Sequence, residues 1–153
     1  MIDHNQIKID EASKKLIKSI KLKKDVKEKW LKALRSGNYK QGEINLNNNN
    51  NTFCCLGVLC DIYIKENNLI WNDNAGSTGV KSIYTSAHTL PKIIIMWAYD
   101  DESFNLEDTI DKSLDYLTGG ITLINDKPVT LWMLNDNLNK TFDEIADIIE
   151  DQM

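Results

Sequence analysis

Phe53-Cys54-Cys55-Leu56-Gly57-Val58-Leu59-Cys60-Asp61-Ile62-Tyr63-Ile64-Lys65 is the stretch on which the fold turns. It is almost continuously apolar, and Leu56, Leu59, Cys60, Tyr63 and Ile64 recur at a spacing that predicts a helix buried on most of its sides. Such a helix belongs at the centre, with the rest of the chain packed around it. Asn67 and Asn68 then end it.

Working back towards the N-terminus, Ala12, Leu16, Ile17 and Ile20 fall at helical spacing, and Val26, Trp30, Ala33 and Leu34 repeat the pattern. Lysines occupy the other faces, so two amphipathic helices are expected. Gly37 stands where a C-terminal cap is wanted, and Lys32 and Arg35 lie in the last turn, where cations favour the negative end of the helix dipole. The segment from Tyr39 to Leu46 reads as a short strand or extended connection. Asn47 to Asn51 is an asparagine run that lacks side chains suited to a core, so it is expected to form a surface turn of dispensable length. Residues 1–9 show no periodicity and read as an arm.

Working forward, Leu69 to Asn72 reads as a strand that residues 82–85 can pair with, across a loop from Asp73 to Gly79. Thr89 is the expected cap of a helix with Pro91 near its first turn, running through Trp97. For Ile93 to Trp97 a buried strand is the competing reading, because periodicity does not separate the two in so short a run. Residues 100–120 are acidic. Ile121 to Ile124, a turn over Asn125 to Pro128, and Val129 to Leu134 then suggest a hairpin. Thr141 and Glu144 match a capping box, and Phe142, Ile145, Ala146, Ile148 and Ile149 supply the buried stripe of a closing helix. The fold class is therefore α+β: a helix-rich single domain over 10–153 with a small, mainly antiparallel sheet.

Bulk properties agree. A chain of 153 residues, 42% hydrophobic with four tryptophans, is enough for one core. No apolar run approaches the ~18 residues that span a bilayer, and the opening Met1-Ile2-Asp3-His4 lacks the order of a secretory signal, so a cytosolic protein without a membrane partner is expected. Three cysteines, two of them adjacent, do not make a disulfide framework and read as free thiols. Residues 1–40 hold 12 Lys+Arg against 5 Asp+Glu, and the remaining residues hold 6 against 18, giving +7 followed by −12. The acidic remainder disfavours extended nucleic-acid binding, and the plainer reading is that the two halves attract one another.

The residue types exclude more chemistry than they suggest. Zinc sites use spaced cysteine pairs, which Cys54, Cys55 and Cys60 with His4 and His88 do not form. A thiolate nucleophile needs a neighbouring base, and small buried apolar cysteines are the simpler reading. The carboxylates of Asp100-Asp101-Glu102, Asp143-Glu144 and Glu150-Asp151 suit exposed or capping positions, and Gly119-Gly120 does not open a phosphate loop. No cofactor is called for. The connections that hold Arg35, Tyr39, Gln41, Asn135 and Asp136, together with Trp97, combine an anion-binding fork, stacking rings and edge-reading amides, so these six are the candidate ligand-binding residues. The structural alternative pairs Arg35 with Asp61 or Asp136 and leaves the asparagines to turn the chain.

Several blocks together resemble a family of small, functionally uncharacterised proteins of tailed bacteriophages and prophages. The matching residues are Trp30, Ala33, Leu34, Arg35, Ser36, Gly37, Tyr39, Gln41 and Gly42, then Cys54 through Asp61, Leu90, Pro91, Trp97, Asn135, Asp136, Phe142, Ile145 and Ala146. The resemblance covers about residues 28 to 150. The lysine-rich front, the asparagine run and the acidic segment depart from it, and it carries no catalytic residues across. It implies a host-cell cytoplasmic setting and a non-catalytic protein that sequesters a host small molecule, with a nucleotide-derived immune signal as the candidate class. The competing expectations are an inhibitor of a host protein that uses the acidic half, and an enzyme acting on a nucleotide through Cys55 or Asp136. A homo-oligomer is compatible with each.

Overall fold

The computed structural model describes residues 11–48, 50–73, 79–106 and 119–153, with side chains of the third segment described through residue 103. The expected arm at 1–9, most of the loop from Asp73 to Gly79 and much of the acidic stretch lie outside these residues.

The apolar run becomes helix α3 (Cys55–Glu66), with nine of its twelve residues buried. Two amphipathic helices precede it: α1 (Glu11–Ser19) and α2 (Lys24–Arg35). Helix α2 ends as its sequence predicts, with Ser36 closing the last turn and Gly37 in the left-handed region at φ +76°. Trp30 is fully buried and donates its Nε1–H to the Cys55 carbonyl at 3.1 Å, tying α2 to the start of α3. Gly57 is where α3 meets the chain that precedes it: a Cβ there would fall 1.7 Å from the Leu46 carbonyl oxygen. Only a glycine lets the two backbones touch in this way.

Among the described residues the strands are short and divide among three small sheets. β1 (Lys40–Gln41) pairs in parallel with β3 (Thr52–Phe53). β2 (Asn47–Asn48) and β4 (Asn72–Asp73) flank β5 (Val80–Ser82), both antiparallel to it. β6 (Ile121–Ile124) and β7 (Lys127–Thr130) form a hairpin. Its two turn residues, Asn125 and Asp126, both have positive φ, the conformation of the tight turn that matches strand twist.

Helix α4 (Lys92–Ala98) confirms the helical reading of Ile93 to Trp97, but its N-cap is Pro91 and Thr89 does not cap it. α5 (Asp101–Leu106) follows, with Asp100 Oδ1 accepting from the Ser103 amide at 2.8 Å. Residues 131–134, expected to continue the hairpin, instead belong to α6 (Leu131–Asp136), because the Thr130 hydroxyl accepts from the Met133 amide and caps a helix there. Leu69 to Trp71 do not pair as a strand, and only Asn72 joins a ladder. The chain closes on α7 (Phe142–Gln152), whose capping box between Thr141 and Glu144 is complete.

The asparagine run is the largest departure. Asn50 and Asn51 are in an exposed or half-exposed turn, but Asn47 is a β2 residue only 2% exposed. Pairing with β5 and the contact of Leu46 on Gly57 carry it inward.

A single core cluster runs from Ile17 to Met153. The basic α2 lies against the acidic α7: Arg35 Nη2 bonds Asp147 at 2.8 Å and Glu150 at 2.6 Å, and Lys27 Nζ bonds the Glu150 carbonyl. The opposite charges of the two ends thus meet within the fold. Among the described residues, no helix is long and apolar enough to cross a membrane.

Candidate functional site

The six residues singled out from the sequence fall into different places. Arg35 is on the exposed α2–α7 seam, paired with Asp147 and Glu150 and with neither of the partners expected for it. Trp97 packs edge-on against Tyr63 at 5.2 Å, and Tyr63 in turn meets Tyr84. Gln41, Asn135 and Asp136 are together. Tyr39 lines a separate cleft.

The Gln41–Asn135–Asp136 group is a knot of backbone satisfaction. Asn135 is 2% exposed. Its Oδ1 accepts from the Cys55 amide at 3.2 Å and from Gln41 Nε2 at 2.9 Å, and its Nδ2 donates to the Gly42 carbonyl at 2.9 Å and to Asp136 Oδ1 at 2.7 Å. A primary amide offers two donors and two acceptor positions, and all four are in use. The first N–H groups of any helix lack intrahelical partners. Here Asn135 supplies one to α3, whose N-cap Cys54 makes no side-chain cap, and Gln41 Oε1 accepts from Phe142 N at 3.2 Å, the first residue of α7. Asp136 accepts the Ile44 amide at 3.1 Å. In the groove of about 250 Å³ beside this knot, the Gln41, Asn135 and Thr141 side chains are thus already engaged with the backbone.

The cleft at Tyr39 is built differently. It has a volume of about 620 Å³ and lies between α2, α3 and the segment from Asn38 to Phe53, with Trp71 on its wall. That volume suits a mononucleotide-sized ligand. Tyr39 and Phe53 meet edge-on at 5.1 Å, Phe53 and Trp71 are 6.3 Å apart, and the Lys65 ammonium stands 5.3 Å from the Tyr39 ring centroid. Asp61 fixes this wall. Its carboxylate accepts from Tyr39 Oη at 2.6 Å, Trp71 Nε1 at 2.9 Å and Lys65 Nζ at 2.8 Å. Burial alone would raise its pKa, but the hydrogen bonds from Lys65, Tyr39 and Trp71 outweigh burial and hold it below the ordinary carboxylate value. Burial, and then the bond to Asp61, push the Tyr39 hydroxyl up, so it stays protonated and donating.

Lys29, Lys32 and Lys65 line the same cleft, against Asp61 as its one lining carboxylate. Lys29 pairs with Glu66 and Lys65 with Asp61, whereas no described carboxylate pairs with Lys32. Asn47 completes the lining, and its buried Oδ1 has no hydrogen-bond partner. A buried acceptor left unpaired costs roughly 1–3 kcal/mol. Among the described residues the other unpaired buried side-chain atom is Tyr99 Oη, which is enclosed in the core and lines neither this cleft nor the groove beside Asn135.

The cavity of about 530 Å³ between α1, the β6–β7 hairpin and α7 is less suited to a ligand. Its Gln152 is closed in a reciprocal pair with the Leu123 backbone, at 2.7 and 2.8 Å.

The thiols are buried small side chains. Burial pushes Cys54 up to about 11 and raises Cys55 and Cys60 well above the ordinary thiol value, which keeps them un-ionised near neutrality. Among the described residues, no group of three or more His, Cys, Asp or Glu side chains gathers as a metal site would require.

Sequence reasoning thus found Tyr39 and missed Asn47, Phe53, Asp61, Trp71 and the lysines as cleft residues. The three-residue spacing of Lys29 and Lys32 beside the buried Trp30 and the half-buried Ala33 was the legible signal for the rim. The asparagine run carried no signal for Asn47.

No curated protein and no solved structure matches the chain. One family model does match, over residues 22–153, a span that takes in α2 through α7, the knot and the cleft. The chain belongs to the family described as Domain of unknown function (DUF8296).

Proposed function

We propose that this protein is a non-catalytic binding protein that captures a nucleotide-like small molecule in the cleft between α2 and α3. The observation that carries this reading is a cleft of about 620 Å³ that presents Lys29, Lys32 and Lys65 beside an aromatic wall of Tyr39, Phe53 and Trp71, with Asn38, Asn47 and Asn51 also lining it. Lysines attract phosphate, aromatic faces stack on a flat ring, and an amide reads a ring edge. The resemblance to phage proteins supplies a setting: sequestration of a host small molecule in the host cytoplasm, with a nucleotide-derived immune signal as the candidate class.

The enzyme reading through Cys55 or Asp136 has less support. The Cys55 thiol is buried and raised, and Asp136 already accepts bonds from Ile44 and Asn135. The reading as an inhibitor acting through an acidic surface also loses support, because Asp147 and Glu150 of α7 are engaged with Arg35.

Titration calorimetry against a panel of mono-, di- and cyclic nucleotides, at low and moderate salt, tests the proposal. At least one member is expected to bind, more weakly as salt rises, and Lys32→Gln is expected to weaken that binding several-fold. A panel on which nothing binds at either salt would remove the reading.

A further inference from the structure

We infer that Trp71 is the specificity-determining residue of this cleft, and that its indole face selects purine rings over the smaller pyrimidine rings. The inference rests on the capture reading above and adds the class of ring that is held.

Its basis is how the rings of the aromatic wall are placed. Phe53 is only 8% exposed, so it supports the wall more than it meets a ligand. Tyr39 has the Lys65 ammonium 5.3 Å from its ring centroid and Phe53 edge-on at 5.1 Å, so its ring is already taken up by contacts within the protein. Trp71 is half-buried on the same wall, tilted against Phe53 at 6.3 Å, and is the largest flat side chain that the cleft offers.

The polar edge of that side chain is fixed. Trp71 Nε1 donates to Asp61 Oδ1 at 2.9 Å, and the other oxygen of the same carboxylate accepts from Tyr39 Oη at 2.6 Å and from Lys65 Nζ at 2.8 Å. With its one donor engaged, the indole meets a ligand through its ring alone. Stacking then follows overlap, and a two-ring purine covers an indole more fully than a one-ring pyrimidine. The shared carboxylate also holds a cation that attracts phosphate beside the ring that receives the base. Asn38 and Asn51 line the cleft but are exposed, so water competes for the hydrogen bonds they offer, and ring overlap outweighs edge reading here.

The test is calorimetry of the full chain with AMP and GMP against CMP and UMP, and the same comparison of purine with pyrimidine among the diphosphates and cyclic forms. In every phosphate form that binds, the purines are expected to bind at least about threefold more tightly. Trp71→Leu is expected to weaken purine binding about tenfold, and Trp71→Phe to keep most of it. Phenylalanine loses the bond to Asp61 as leucine does but retains a flat ring, so the two variants separate a ring contact from a merely structural role. The nucleotide comparison on the wild-type chain gives an answer even where a variant fails to fold.

Pyrimidines that bind as tightly as purines, or more tightly, overturn the role of Trp71 and leave the capture reading standing. Equal losses in Trp71→Leu and Trp71→Phe, or no loss in either, have the same consequence. Silence across the whole panel overturns both.

Discussion

Asn135 and Asn47 are both buried asparagines, the first packed against the segment from Lys40 to Phe53 and the second within it, and the protein treats them in opposite ways. Asn135 uses all four hydrogen-bonding positions of its amide to join α3, α6 and the Gln41–Gly42 segment. Asn47 has a buried oxygen that bonds nothing. Both are 2% exposed, so burial does not distinguish them, but saturation does. A saturated amide holds structure, whereas a buried oxygen left without a partner adds nothing to it and costs stability. The comparison also bears on Gln41 and Asn135, the ring-edge readers expected from the sequence: in the fold they accept the first amides of α7 and α3, and Asp136 beside them accepts the Ile44 amide.

The sharpest way to break this comparison is Asn135→Ala. It strands the Cys55 amide and the Gly42 carbonyl and removes one of the bonds of Gln41, and a loss of about 3 kcal/mol is expected in chemical denaturation. A loss under about 1 kcal/mol would mean that the knot is not structural.

Asp61→Asn comes next, with an expected loss of about 2 kcal/mol near neutral pH as the Tyr39, Trp71 and Lys65 partners lose their charged acceptor. Its pH dependence carries a sign. Because the folded carboxyl sits below its ordinary value, its contribution is complete above that value and is lost as pH falls through the depressed one. Wild type should therefore lose more stability than Asp61→Asn between about pH 5 and about pH 2, and parallel acid profiles would contradict the assignment.

Asn47→Leu is expected to change stability by less than about 1 kcal/mol, or to raise it, since an unpaired acceptor is replaced by apolar volume. A loss as large as that of Asn135→Ala would erase the distinction between the two amides. The smallest effect belongs to Lys32→Gln, within about 0.5 kcal/mol in stability because the side chain has no carboxylate partner among the described residues. Its expected effect is a shallower salt dependence of nucleotide binding. A stability loss well beyond that range would make the lysine part of the scaffold.

Much of the fold was legible because its signals were local. The apolar run of α3, the stripe and capping box of α7 and the glycine after α2 are each set by neighbours in sequence. What escaped depended on distant partners. Residues 131–134 continue the apolar run of the hairpin, and the Thr130 cap starts a helix there. Arg35 had several acids to choose from, and the packing of α2 on α7 chose Asp147 and Glu150. Asn47 looks like its exposed neighbours until β5 pairs with it. The cleft was hidden for the same reason, since its walls come from α2, the segment from Asn38 to Phe53, α3 and Trp71, and Tyr39 alone stood out.

The contact of Gly57 with the Leu46 carbonyl bears on how a ligand would be received. Backbone against backbone leaves no rotamer to adjust, so the spacing between α3 and the wall carrying Asn47 is set before anything enters. Binding in such a cleft forfeits little conformational entropy in the protein, and affinity then depends on the fit of the guest and not on the host closing around it. A Cβ at position 57 would force that wall outward, so a variant there that still folds should bind with a larger entropic penalty even though every group facing the ligand is unchanged.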